Sequence, residues 1–108
     1  MEAFIATGNG NTSKRRGERV YFIQAGDGGP IKIGRAVDVI RRLHGLQAAS
    51  WEELRLLSAT GAVTEREMHQ RFASLRIRGE WFKPSVELLE LIGSFPSTFR
   101  STNADSSF

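Results

Sequence analysis

Cysteine is absent from the 108-residue chain. A disulfide framework is therefore excluded, and the two histidines, His44 and His69, are too few to close a structural zinc site. The same absence suits a reducing compartment, and a cytoplasmic protein is expected. Long apolar runs are also missing. No stretch reaches the roughly 20 residues of a membrane-spanning helix, and Met1–Val20 lacks the apolar core of a signal peptide, so no membrane association is expected. Nor is there a large excess of either charge, since the formal net charge is only +3. The basic surplus sits early, with Lys14, Arg15, Arg16 and Arg19 set against Glu2 and Glu18. Any contact with nucleic acid must come from local clustering and this arm rather than from bulk charge.

The length supports one domain with a single modest core. Residues 1–18, rich in Gly, Asn, Thr and Ser and ending in a basic cluster, read as a flexible basic arm. Residues 96–108 read as a disordered tail, which leaves 19–95 as the folded domain. Val20–Ala25 has a strand profile, and Gly26–Pro30 is turn chemistry. Ile31–Gly34 reads as the return strand of the hairpin. Asp38 caps a helix whose apolar stripe is Val39, Leu43 and Leu46, widened by Ile40. A third strand is expected over Glu53–Ala59. Thr64 and Glu67 form a capping box ahead of a helix with Met68, Phe72 and Leu75 inward. The Arg76–Phe82 segment breaks at Gly79, and a last helix over Ser85–Ile92 turns Leu88, Leu89 and Ile92 inward. The expected fold is α/β (α+β): a small, three-stranded, mainly antiparallel sheet flanked by helices in the order ββαβαα.

The hairpin and the helix after it gather unusual chemistry. The only tyrosine of the chain, Tyr21, is on the first strand. The second ends in Lys32-Ile33-Gly34, and Arg41 and Arg42 are one helical turn further on. Each residue also has a plain structural reading. Tyr21 can pack its ring and bond its hydroxyl, Lys32 can be an exposed strand lysine, and Arg42 can pair with Asp38 at i,i+4. Glu65 can simply complement a helix N-terminus, and Glu67 is assigned to the cap. Trp81 and Phe82 are assigned to core closure.

Taken in order, Val20-Tyr21, Lys32-Ile33-Gly34 and Arg42-Leu43 resemble the GIY-YIG endonuclease superfamily. Glu65-x-x-Met68-His69-x-x-Phe72 and Arg76-x-x-Gly79-Glu80-Trp81-Phe82 resemble its phage-associated branch, which commonly shows KIG in place of YIG. The match runs over about residues 19–92. The first motif here lacks its glycine, the second lacks its tyrosine, and an asparagine often seen after the last motif is missing. The resemblance implies a metal-dependent DNA endonuclease using one Mg²⁺ or Mn²⁺. It implies catalytic positions at Tyr21, Lys32, Arg42 and Glu65, with Glu65 as the metal ligand.

That chemistry is coherent on its own terms. Phosphodiester hydrolysis needs an activated water and stabilised phosphoryl oxygens. Glu65 can supply a carboxylate to Mg²⁺, and Arg42 a fixed fork for phosphate. Tyr21 and Lys32 share the remaining work, one deprotonating water and the other orienting. His69, His44 and Glu80 are candidates for a supporting shell around the metal ligand. DNA contacts are expected from Lys14, Arg15, Arg16, Arg35, Arg41 and Arg76. Recognition is expected to be relaxed or structure-based, or to depend on a specificity partner on another chain. The competing readings are a catalytically silent nuclease-fold module that binds DNA and a protein-interaction domain.

Overall fold

The computed structural model describes residues 16–95. The tail, and the basic arm up to Arg15, lie outside the described residues. The chain runs β1 (Arg19–Ala25), β2 (Ile31–Ala36), α1 (Val39–Ala48), β3 (Leu54–Thr60) and α2 (Glu65–Arg71). A 3-10 turn at Ala73–Leu75 then leads into β4 (Arg76–Arg78), β5 (Trp81–Phe82) and α3 (Val86–Ser94).

All strand pairs are antiparallel, in the spatial order β3-β1-β2-β5-β4. The three-stranded sheet expected from the sequence is thus corrected to five strands with three helices, and the order ββαβαα to ββαβαββα. The two additional strands come from the segment around Gly79, whose φ of 53° allows the reversal between them. At three and two residues they carry too little alternation to register as strands. They form because β2 has a free side on which β5 can dock, pairing Ile31 with Phe82 and Lys32 with Trp81.

The sheet is covered on both faces. One face presents Val20, Phe22, Ile31, Ile33 and Phe82 to Met68 of α2, to Phe72 at its C-terminal end, and to Leu88 and Ile92 of α3. The other presents Tyr21, Ile23, Leu54 and Leu56 to Val39 of α1, with Leu43, Leu46 and Trp81 packed around them. Alternation along β1 supplies both sets, as a strand buried on two sides requires. The pairing of β1 with β3 slips between Phe22 and Ile23, a β-bulge of the kind that bends a strand.

Both predicted capping signals form. Thr64 Oγ1 accepts from the Glu67 amide at 3.0 Å, and Glu67 Oε1 accepts from the Thr64 amide at 2.8 Å. Asp38 Oδ1 accepts from the Arg41 amide at 3.0 Å, so its carboxylate caps α1. Two apolar assignments change. Ile40 and Leu89 are both exposed, because the inward stripe of each short helix is narrower than its count of apolar residues.

Candidate functional site

Strand β2 is the spine of the site. Towards Ile31 it is paired on both sides, by β1 and β5, but β5 reaches no further than Lys32 in that ladder. Beyond it the Ile33 amide donates to the Glu80 carbonyl at 2.9 Å. The Ile33 carbonyl is taken by the His69 side chain of α2, with Nε2 at 2.8 Å. A carbonyl can only accept, so Nε2 carries the proton, and Nδ1 is left to accept from Arg76 Nη2 at 3.3 Å. Both ring nitrogens are committed, and the ring leans on Phe82 with centroids 5.1 Å apart. His69 therefore fixes α2 to the edge of β2, in the place a further strand would fill.

That docking sets Glu65 one helical turn earlier beside the end of β2, where Arg35 Nε lies 3.6 Å from its Oε1. Glu65 also lies near the side chain of Glu80 in the β4–β5 turn, close enough for the two carboxyls to influence one another. Burial raises the Glu65 carboxyl above its ordinary value, helped by the neighbouring Glu80, with the Arg35 charge pulling the other way. Burial also pushes Glu80 upward, but the hydrogen bond and charge of the adjacent Lys32 carry it below its ordinary value. The two neighbouring carboxyls are thus pushed apart, Glu65 upward and Glu80 downward.

Lys32 is the cation behind that asymmetry. Its Nζ is 2.9 Å from Glu80 Oε1 and 5.7 Å from the centroid of the Trp81 ring. An ammonium is stabilised by both a carboxylate and an aromatic face. Lys32 is thus held in an ion pair rather than standing as an exposed strand lysine.

Tyr21 is fully buried. Across the β1–β2 ladder it pairs with Gly34, and its ring fills the space over that glycine so closely that a Cβ there would run into the ring and hydroxyl. Gly34 is thus needed for close approach. The Tyr21 hydroxyl accepts a long hydrogen bond from Arg42 Nη1 at 3.4 Å, and the same nitrogen is 3.4 Å from the Arg35 carbonyl. The guanidinium therefore reaches across to the end of β2 instead of pairing with Asp38.

Beside it lies an open groove of about 480 Å³, lined by Arg35, Arg41 and Arg42 together with Glu18, Asp38 and the uncrowded Gly45. Three guanidinium groups on one concave surface suit phosphate oxygens. Of the other expected DNA-contacting residues, Lys14 and Arg15 lie outside the described residues. Arg16 is exposed in a turn ahead of β1. Arg76 lies over Phe82 and holds His69, which gives it a structural part. His44 is exposed on α1 and enters none of these contacts.

Contacts along β2 thus gather the four principal residues: Tyr21 bonds Arg42, Arg42 the Arg35 backbone, Arg35 pairs with Glu65, and Lys32 pairs with Glu80, which lies beside Glu65. The sequence reading placed Arg35 only among DNA contacts and Glu80 only in support. Its one clue to more was adjacency, as Arg35 follows Lys32-Ile33-Gly34 and Glu80 precedes Trp81-Phe82. Among the described residues no three His, Cys, Asp or Glu side chains gather into a ready-made metal cage, and no helix is long and apolar enough to cross a membrane.

Comparison with known proteins finds no matching curated protein and no matching solved structure. The T5orf172 domain, however, matches residues 18–94. This span takes in every strand and helix described above, and the chain belongs to the T5orf172 domain family.

Proposed function

We propose that this domain is a metal-dependent DNA endonuclease of GIY-YIG type. The observation that carries the reading is the gathering along β2 of the Tyr21–Arg42, Arg35–Glu65 and Lys32–Glu80 pairs, beside a groove lined by three arginines. A small hard cation fits the donor set. Glu65 and Glu80 bring two carboxyl groups together at the end of β2, and oxygen donors of this kind suit a hard divalent cation. Mg²⁺ needs few protein ligands, since it keeps several waters and leans on substrate phosphate. Glu65 would hold it, with Glu80 adjacent, and the bound ion would supply Lewis-acid stabilisation of the phosphoryl oxygens.

The remaining roles belong to the chain itself. Arg42 and Arg41 bind phosphate oxygens in the groove. Tyr21 is closed to solvent, so its part is to hold the Arg42 guanidinium through its hydroxyl rather than to meet the attacking water. Lys32 and Glu80 form the proton-accepting unit. In the ion-paired form the vacant proton position is on the Glu80 carboxylate, which can take a proton from water while Lys32 balances the charge.

A plasmid-nicking assay in Mg²⁺ or Mn²⁺ tests the reading. Cutting is expected, with a loss of about 10²-fold or more for Glu65→Ala and for Arg42→Ala. Cutting that survives both substitutions would remove the assignment. Binding that persists in EDTA without any cutting in metal would favour a DNA-binding module instead.

A further inference from the structure

Arg35 occupies a position no simple DNA contact requires. Its guanidinium is 3.6 Å from Glu65 and 3.9 Å from Glu18, its backbone carbonyl takes the Arg42 guanidinium, and it also lines the groove with Arg41 and Arg42. Half of its side chain is exposed, whereas the Glu65 side chain is largely covered. A buried carboxylate needs a compensating charge, and the guanidinium supplies it in part. A divalent cation on Glu65 would supply it instead, and a guanidinium left beside that cation would be repelled. The groove into which it would turn is open and already suited to phosphate.

We infer that Arg35 is an internal counter-ion that stands in for the cation at Glu65, and that cation binding hands Arg35 over to a DNA phosphate in the adjoining groove. Metal and phosphate binding then reinforce one another through a single side chain, and by linkage each raises the affinity of the other by the same factor. This rests on Glu65 being the cation ligand. It adds a competition at that ligand and a coupling to the substrate that a static phosphate contact lacks.

The first test is a titration of the full chain with Mn²⁺ alone, followed by calorimetry or electron paramagnetic resonance. Arg35→Ala is expected to bind Mn²⁺ about threefold to fivefold more tightly than the unaltered protein, the size of effect that a half-exposed ion pair produces. Arg35→Lys, which keeps the charge, is expected to stay close to the unaltered protein, and Glu65→Ala to lose the site. The second test compares binding of a short DNA duplex in Ca²⁺ and in EDTA. The gain brought by Ca²⁺ is expected to shrink in Arg35→Ala. Mn²⁺ binding that depends on Glu65 but is unchanged or weaker in Arg35→Ala overturns the counter-ion role alone. An undiminished Ca²⁺ gain in that variant overturns the hand-over to phosphate. An absence of Glu65-dependent Mn²⁺ binding overturns this inference together with the metal assignment on which it rests.

Discussion

At the scale of single residues, the site stores opposed tendencies. Gly34 and Tyr21 illustrate close packing: the ring lies where a Cβ at Gly34 would be, and it is sealed on all sides. Gly34→Ala is expected to destabilise the fold by about 1–3 kcal/mol, as overpacking a rigid site does; urea unfolding measures it. Glu65 illustrates an electrostatic cost. Its folded-state pKa is raised, so the folded chain binds more protons than the unfolded chain across the window just above the ordinary value. Stability from this group therefore falls as pH rises through that window, and Glu80, shifted the other way, contributes in the opposite sense. Glu65→Gln, which cannot ionise, is expected to raise Tm more at pH 8 than at pH 4. A gain independent of pH would contradict the shift. A stabilising substitution at a residue proposed to act in catalysis is the usual signature of a site whose chemistry opposes stability.

At the scale of elements, α2 matters beyond its seven residues. It is too short to be stable by itself, so its position depends on its cap, its buried Met68 and the His69 bond to β2. Thr64→Ala removes the acceptor for the Glu67 amide and is expected to cost about 1 kcal/mol, read from thermal or denaturant unfolding. Because Glu65 is the first residue of that helix, the same substitution should also weaken Mn²⁺ binding while leaving Arg41 and Arg42 in place. The capping box was legible in the sequence, since a hydroxyl and a carboxylate three residues apart act locally. The β4–β5 pair was not. Its five strand residues carry no pattern of their own, and only the free side of β2 gives them a partner. Five strands instead of three follow from that one docking event.

At the scale of the whole molecule, the positive groove decides how DNA would be met. Formal net charge is only +3, so long-range attraction is modest and the three arginines of the groove should carry most of the salt dependence from the described residues. Arg41→Ala is expected to lower duplex affinity about uniformly across sequences and to reduce the slope of log affinity against log salt by about 1. A slope unchanged by that substitution would place the DNA elsewhere on the surface.

The sequence by itself determined the hairpin, the caps, the three amphipathic stripes that cover the sheet and the identity of the polar residues, because each depends on neighbours within a few positions. Tertiary structure decided the rest. It turned Arg42 towards Tyr21 and away from Asp38, locked His69 between Ile33 and Arg76, joined Glu80 to Lys32, and placed Arg35 between a carboxylate and an open groove. Those pairings bridge residues far apart in the chain, and they exist only once β2 has gained β1 on one side and β5 and α2 on the other.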